Sequence, residues 1–350
     1  MIYQLMQLSP ATLRNKIREA HGATRRQLIQ ALWLRDVCLL AFAIGYIALF
    51  ATLFGTANSV VGVASFCMLL SLRSVDYGYR CKDSVLAIGV ILTIMTLNSV
   101  LAFIVPVGLS FWIHFIGLLV ILRLTSQHPE YGNGGVYTFS YVLLIGTSVA
   151  GVWLRLRLVA IALAWLFCAG VLWQHHRTKN ATVQVWQVFK PIDVHVAVDR
   201  WQLRLALGVA LALAVSNTWA MMRPMWCGFA AMSALLPFQK ALPKRMLTRL
   251  AGVVIGASLF AGLVMVLPHA LVFLLAPLAG FGLGLTGSYF AASILNCFGA
   301  LSIAYTVYGV TAASSLRILD NGLGLLVALI FAWGCRLLWQ RHTCQRCDVQ

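Results

Sequence analysis

Residues 199–268 read DRWQLRLALGVALALAVSNTWAMMRPMWCGFAAMSALLPFQKALPKRMLTRLAGVVIGASLFAGLVMVLP. Charge, apolar runs and turn residues form one legible unit here. An apolar run follows Arg200 and Arg204, a polar turn ends at Arg223-Pro224, and a second apolar run stops at Pro237. Lys240, Lys244, Arg245 and Arg249 then lead into a small-residue run from Ala251 to Leu267. Charges gather where a chain leaves hydrocarbon and vanish where it enters, so the pattern predicts a membrane hairpin, a basic loop and a third span.

Composition sets the solvent for the rest of the chain. It is 61% hydrophobic and 10% charged with a mean hydropathy of +0.87, whereas soluble domains carry about 25% charged residues. The apolar runs are continuous, unlike barrel strands of about ten residues with alternating polarity. An all-α polytopic membrane protein is therefore predicted. The net charge of +17 is assigned to topology and not to nucleic acid, because basic residues collect on the cytoplasmic side of helical membrane proteins.

Outward from the opening stretch, the first half carries apolar runs at Val37–Leu53, Val60–Leu72, Ser84–Val105, Leu109–Leu122, Val136–Leu154 and Leu156–Trp173. The second half carries them at Leu203–Ala220, Met225–Leu236, Met246–Leu267, Leu271–Leu285, Tyr289–Ala312 and Ile318–Leu338. About twelve transmembrane helices are predicted. Several runs fall short of the roughly twenty residues that cross a bilayer untilted, so ten spans with two re-entrant pieces is the alternative. With the N-terminus inside, only Arg155, Arg157, Arg223 and Arg317 of the 26 Lys and Arg lie on the outer side. Both termini are thus expected in the cytoplasm.

The expected organisation is a cytoplasmic amphipathic segment at 1–34, a six-helix bundle at 35–174, a cytoplasmic linker at 175–199, a second bundle at 200–342 and a tail at 343–350. Leu13, Ile17, Ala20, Leu28 and Leu32 recur at helical spacing after Ser9-Pro10, which predicts a helix lying on the inner membrane surface, with a plain solvated helix as the alternative. Charges from Arg14 to Arg26 occupy the place of a secretory signal's apolar core.

The halves repeat one another. Arg35 matches Arg204, Gly62 matches Gly228, Gly89-Val90 matches Gly252-Val253, Pro106 matches Pro268, Leu124-Thr125 matches Leu285-Thr286, and Leu154-Arg155 matches Leu316-Arg317, at offsets of 161 to 169 throughout. Six spans per half is an even number. The two repeats are therefore expected to be parallel, with a substrate path between them.

Cationic side chains inside a membrane helix cost roughly 2.5–3.5 kcal/mol each, so retained ones face a cavity or a partner. Arg200 with Arg204, and Arg245 with Arg249, stand one turn apart on their helices. With Arg35, the repeat mate of Arg204, they are candidates for a cationic vestibule, and snorkelling to lipid phosphates is the structural alternative. Arg317 and Asp320, three apart, form either a clamp or an outer gate. Asn98, His114, Asn217 and Asn296 are able to bond a carboxylate, though bonds between helices are their commoner use. Tyr305, Tyr308, Trp219 and Trp226 are candidates to stack on an aromatic ring. Gly252, Gly256, Gly262, Gly280, Gly282 and Gly284 permit close helix approach.

The segments Arg204-Leu-Ala-Leu, Lys244-Arg245, Arg249-Leu-Ala-Gly-Val and Leu316-Arg-Ile-Leu-Asp-Asn-Gly-Leu-Gly resemble the fusaric acid resistance and aromatic acid exporter family. Plant aluminium-activated malate transporters look like distant relatives. The resemblance covers the second half, with the first as a degenerate copy, and the large cytosolic domain usual in the family is not seen. It implies export of small organic, often aromatic, carboxylates across a bacterial inner membrane, commonly with a periplasmic adaptor protein. Partners to be expected are the anion, the lipid bilayer, that adaptor and a second copy of the chain.

No nucleotide-binding glycine loop and no pairing of nucleophile and base is present, so neither ATP drive nor an enzyme is expected. The nine cysteines imply no disulfide framework, and His342-Thr-Cys344-Gln-Arg-Cys347 is half a zinc site at most. No cofactor or metal is predicted. An anion leaving an inside-negative cell gains roughly 2.3 kcal/mol per charge per 100 mV, which admits a channel-like uniport. Proton antiport needs an acid in the membrane, and among Asp36, Asp83 and Asp320 the last is the leading candidate for coupling. A non-transporting scaffold and a membrane enzyme acting on lipid-linked substrates are the other classes.

Overall fold

A computed structural model describes residues 2–8, 10–219, 221–236 and 242–344. Ser9, Lys240 and the residues of the tail beyond Cys344 lie outside them, as do the side chains of the half zinc site. Fifteen α-helices follow in order among the described residues: α1 (Ile2–Met6), α2 (Pro10–Glu19), α3 (Gly22–Phe54), α4 (Ser59–Leu72), α5 (Cys81–Ile104), α6 (Val107–Thr125), α7 (Asn133–Ile145), α8 (Gly151–His176), α9 (Ala197–Thr218), α10 (Pro224–Leu235), α11 (Leu242–Val266), α12 (His269–Val272), α13 (Leu275–Leu285), α14 (Tyr289–Tyr308) and α15 (Val310–Cys344). No strand occurs among the described residues.

The twelve apolar runs fold as helices in the predicted order, with α12 and α13 together forming the tenth. Seven of these helices are long and apolar enough to cross a membrane: α3, α5, α6, α8, α11, α14 and α15 as far as Arg336. The other five are shorter or less apolar, and in four of them, α4, α7, α9 and α10, half or more of the residues are buried. In α9, 12 of 22 residues are buried, and in α7, 8 of 13. A helix wrapped by protein does not need a lipid-compatible surface along its whole length. One boundary also moves: the run predicted over Val136–Leu154 breaks after Ile145, and α8 starts at Gly151, whose φ of 59° favours glycine.

The chain forms two compact units, Met1–Gly45 with Lys244–Leu319, and Tyr46–Pro243 with Asp320–Gln350. Both α3 and α15 contribute to each. The boundary expected at 34/35 falls inside the uninterrupted α3, and α9 begins at Ala197, before the expected end of the linker.

In the first unit, Leu13, Leu28 and Leu32 close on one another and on Leu5, Leu8, Ile17, Ala20 and Leu285. The apolar stripe read as membrane-facing thus packs on protein, because α2 folds back on α3 and meets the end of α13. Arg14 Nη1 donates to the Leu285 carbonyl at 2.9 Å, supplying a donor to a helix end that lacks one. Backbones also approach closely: a side chain at Gly256 would meet the Ile294 carbonyl oxygen of α14 at 2.7 Å. Gly252 stands in the same way against Ser293, whereas Gly262 borders open space and does not serve the close approach expected of it.

In the second unit, α9 lies between α6 and α10, α7 contacts α4, α5 and α10, and α8 covers α4 and α5. Polar pins hold this arrangement. Asn58, wholly buried, donates to the carbonyls of Phe54 at 3.0 Å and Trp153 at 3.1 Å, tying the α3–α4 connection to α8. His176 Nε2 pairs with the Leu72 carbonyl at 2.7 Å. The polar segment after α8 is stitched down as well: Asp83 accepts from the Val185 N–H at 3.0 Å and pairs with Arg80 at 2.8 Å.

Replacing Gly256 by leucine forces α11 and α14 apart, an overpacking cost of about 1–3 kcal/mol. Detergent-solubilised Gly256→Leu should melt several degrees below the parent, while Gly262→Leu should melt with it.

Candidate functional site

A cavity of about 400 Å³ opens in the second unit where α5, α6 and α7 end or begin beside the α9–α10 turn. Its apolar wall includes Phe103, Leu213, Met221 and Met225, and its polar groups are Ser99, His114, Thr147, Ser148 and Asn217. The size lies within the roughly 300–1,000 Å³ of small-molecule sites, and the mixture of an apolar wall with a few polar groups is theirs too. No Lys, Arg, Asp or Glu lines it among the described residues.

The hydroxyl groups are committed to the backbone. Ser99 donates to the Thr96 carbonyl at 2.7 Å, Thr147 to Leu143 at 2.7 Å, and Ser148 to Ser99 at 2.6 Å. They turn acceptor oxygens, not hydrogens, to the cavity. His114, wholly buried, is held through Nδ1 by the Tyr141 hydroxyl at 2.9 Å, while its Nε2 meets no partner among the described residues. Asn98 completes the chain, donating from Nδ2 to Tyr141 and to the Ile113 carbonyl, both at 3.1 Å. Gly117 makes room for it, since any Cβ there would meet that nitrogen.

Of the candidates read from the sequence, His114 and Asn217 line this cavity. Arg204, on α9, donates from Nη2 to the Leu235 carbonyl at 3.3 Å, and Trp201 donates to Leu236 at 2.9 Å. Both therefore cap the end of α10. The four basic residues expected to form a vestibule divide between the units, Arg200 and Arg204 in the second, Arg245 and Arg249 in the first with Arg35. The Arg245 guanidinium lies 4.0 Å over the Tyr289 ring, a cation–π contact. Tyr305 packs edge-on against Phe260 at 5.9 Å. Asn296 is exposed on α14, whereas Arg317, Asp320 and Asn321 are buried along α15.

Two charged groups gain roles that their sequence positions did not suggest, and a third is buried. Arg123, counted only as an inner-side charge, pairs with Asp199 at 2.6 Å and donates to the Val188 and Lys190 carbonyls. Arg157 is wholly buried, its Nε on the Asn58 carboxamide at 2.9 Å and Nη2 on the Ala57 carbonyl at 3.1 Å. Asp36 is buried over Gly284 of α13, and its Oδ2 meets no partner among the described residues. No group of histidine, cysteine and acidic side chains able to hold a metal occurs among the described residues.

Fold and cavity together define a helical, multi-pass membrane protein with a small-molecule-sized recess in one of its units. The latter half of the chain, residues 194–331, matches the family model described as fusaric acid resistance protein-like. No curated protein matches the chain, and no solved structure does.

The Arg123–Asp199 pair yields a direct test. Arg123→Met leaves a buried carboxylate without its counter-charge and should cost about 3–5 kcal/mol. The double variant Arg123→Met/Asp199→Asn should recover most of that loss in detergent melting. Equal losses in the single and double variants would show that the pair is not coupled.

Proposed function

We propose that this chain exports small organic carboxylates, largely aromatic ones, and related toxic compounds across a bacterial inner membrane. The observation that carries the reading is the match of residues 194–331 to the fusaric acid resistance protein-like family; the seven apolar helices agree with it. About twelve spans in two parallel repeats is the accompanying architecture. It is supported by helices that follow in the same order in each half, α3 to α8 and then α9 to α15. Both termini lie in the cytoplasm in this reading, a periplasmic adaptor and a second copy are its candidate protein partners, and no nucleic acid or catalysis is involved.

Arg35, Arg204, Arg245 and Arg249 gather anions at the cytoplasmic side, with Asn217, Asn296 and Tyr305 further along the path. Arg317 and Asp320 gate it. Asp320 is the acid for proton coupling, and Asp36 is a second one, favoured by a buried carboxylate oxygen that no described donor meets. The channel-like alternative needs neither.

Purified protein in liposomes loaded with benzoate should release it saturably, and faster when the loaded side is electrically negative. Absence of release would leave the scaffold reading. In the same assay Asp320→Asn should lose the response to a pH gradient if the exporter is a proton antiporter. An Asp320→Asn variant exporting at full rate with unchanged pH response moves the coupling to Asp36→Asn, and if that variant is also unchanged the uniport reading stands.

A further inference from the structure

The proton on the His114 ring can be located from its neighbours. Asn98 Nδ2 faces the Ile113 carbonyl and the Tyr141 oxygen, each at 3.1 Å. A carbonyl only accepts, so this atom is the amide nitrogen, and both of its hydrogens are used. Tyr141 accepts from Asn98, and its own hydrogen, wholly buried, has His114 Nδ1 at 2.9 Å as its acceptor among the described residues. In the neutral ring that leaves the hydrogen on Nε2. This N–H is wholly buried, belongs to a residue lining the cavity, and meets no partner among the described residues.

A buried donor without an acceptor is costly, and the residue that carries this one borders a recess of ligand size. Asn217 offers a second donor, since no described residue engages its carboxamide. The serine and threonine hydroxyls offer acceptors. What the lining does not offer is formal charge, and an ion moved into such a site without a counter-charge loses its hydration uncompensated. Met221 and Met225 supply a polarisable wall suited to a ring, and the largely exposed Phe103 stands at the rim.

We propose that this cavity binds a small uncharged molecule with a ring-sized apolar body and one carbonyl-type acceptor, which takes its hydrogen bond from His114 Nε2. The site goes beyond the exporter reading and does not require it; Asn217, which that reading sets along the anion path, serves the uncharged ligand in this one. His114 sets specificity, and Tyr141 with Asn98 are positioning residues that hold its tautomer.

The test uses the full chain in detergent, with benzamide as the neutral probe and benzoate, at pH 8, as its ionised counterpart. Titration calorimetry should show benzamide binding at least tenfold tighter than benzoate. His114→Phe should weaken benzamide at least tenfold, and Tyr141→Phe several-fold. His114→Gln, which restores an N–H donor, should recover much of the affinity. Should His114→Phe fail to fold, Ala102→Trp fills the recess and leaves every polar group in place; it should abolish binding. The proposal is overturned if benzoate binds as tightly as benzamide, if the recess holds water only and benzamide does not bind, or if benzamide binding survives both His114→Phe and Ala102→Trp. Benzoate release from liposomes separates the two readings: its absence alongside intact benzamide binding would sink the exporter and spare the cavity.

Discussion

A charge or amide carried into a helical bundle has to find its partner within the protein, because hydrocarbon offers none. That requirement fixes the second unit. Arg123 of α6 meets Asp199 at the start of α9 and reaches two carbonyls of the segment before it, so a single guanidinium holds a helix pair and their connection. Arg157 does the same for α8 and the α3–α4 connection through Asn58 and Ala57. Breaking such a contact by removing one partner leaves a buried charge behind, and that penalty ties each group to its partner.

Around the pins, the helices divide by what surrounds them. Helices α7 and α9 are largely enclosed by neighbours and tolerate short length and polar residues. The long helices carry exposed apolar side chains such as Leu86, Phe103, Leu247 and Val266, the surface a bilayer solvates. In the first unit small residues perform the corresponding task, with Gly252 and Gly256 bringing α11 onto α14 by dispersion contacts where no hydrophobic drive between helices exists.

These packing needs also decide which candidate residues remain available to a ligand. Arg204 is engaged in capping α10, and Arg245 lies on Tyr289, so both have structural contacts whatever else they do. The recess in the second unit, by contrast, is equipped with neutral donors and acceptors. A cationic approach and an uncharged pocket answer to different physics: the first attracts at long range, and the second discriminates by shape and by one oriented hydrogen.

The sequence by itself determined the solvent, the helical class, the order of the apolar elements and the likeness of the second half to the fusaric acid resistance protein-like family. Each of these follows from local composition and spacing, which act over a few turns and need no knowledge of the partner. It also marked Asn217 and His114 as polar residues in apolar runs. It did not separate Arg157 from Arg155, two residues apart and alike in type, although one is wholly buried and the other exposed. Nor did it show that Asn98, His114 and Tyr141, from three different helices, form one hydrogen-bonded chain. Only the tertiary structure decided these, because burial and the destination of a hydrogen bond depend on which helices meet, and that is set by long-range packing that no local pattern encodes.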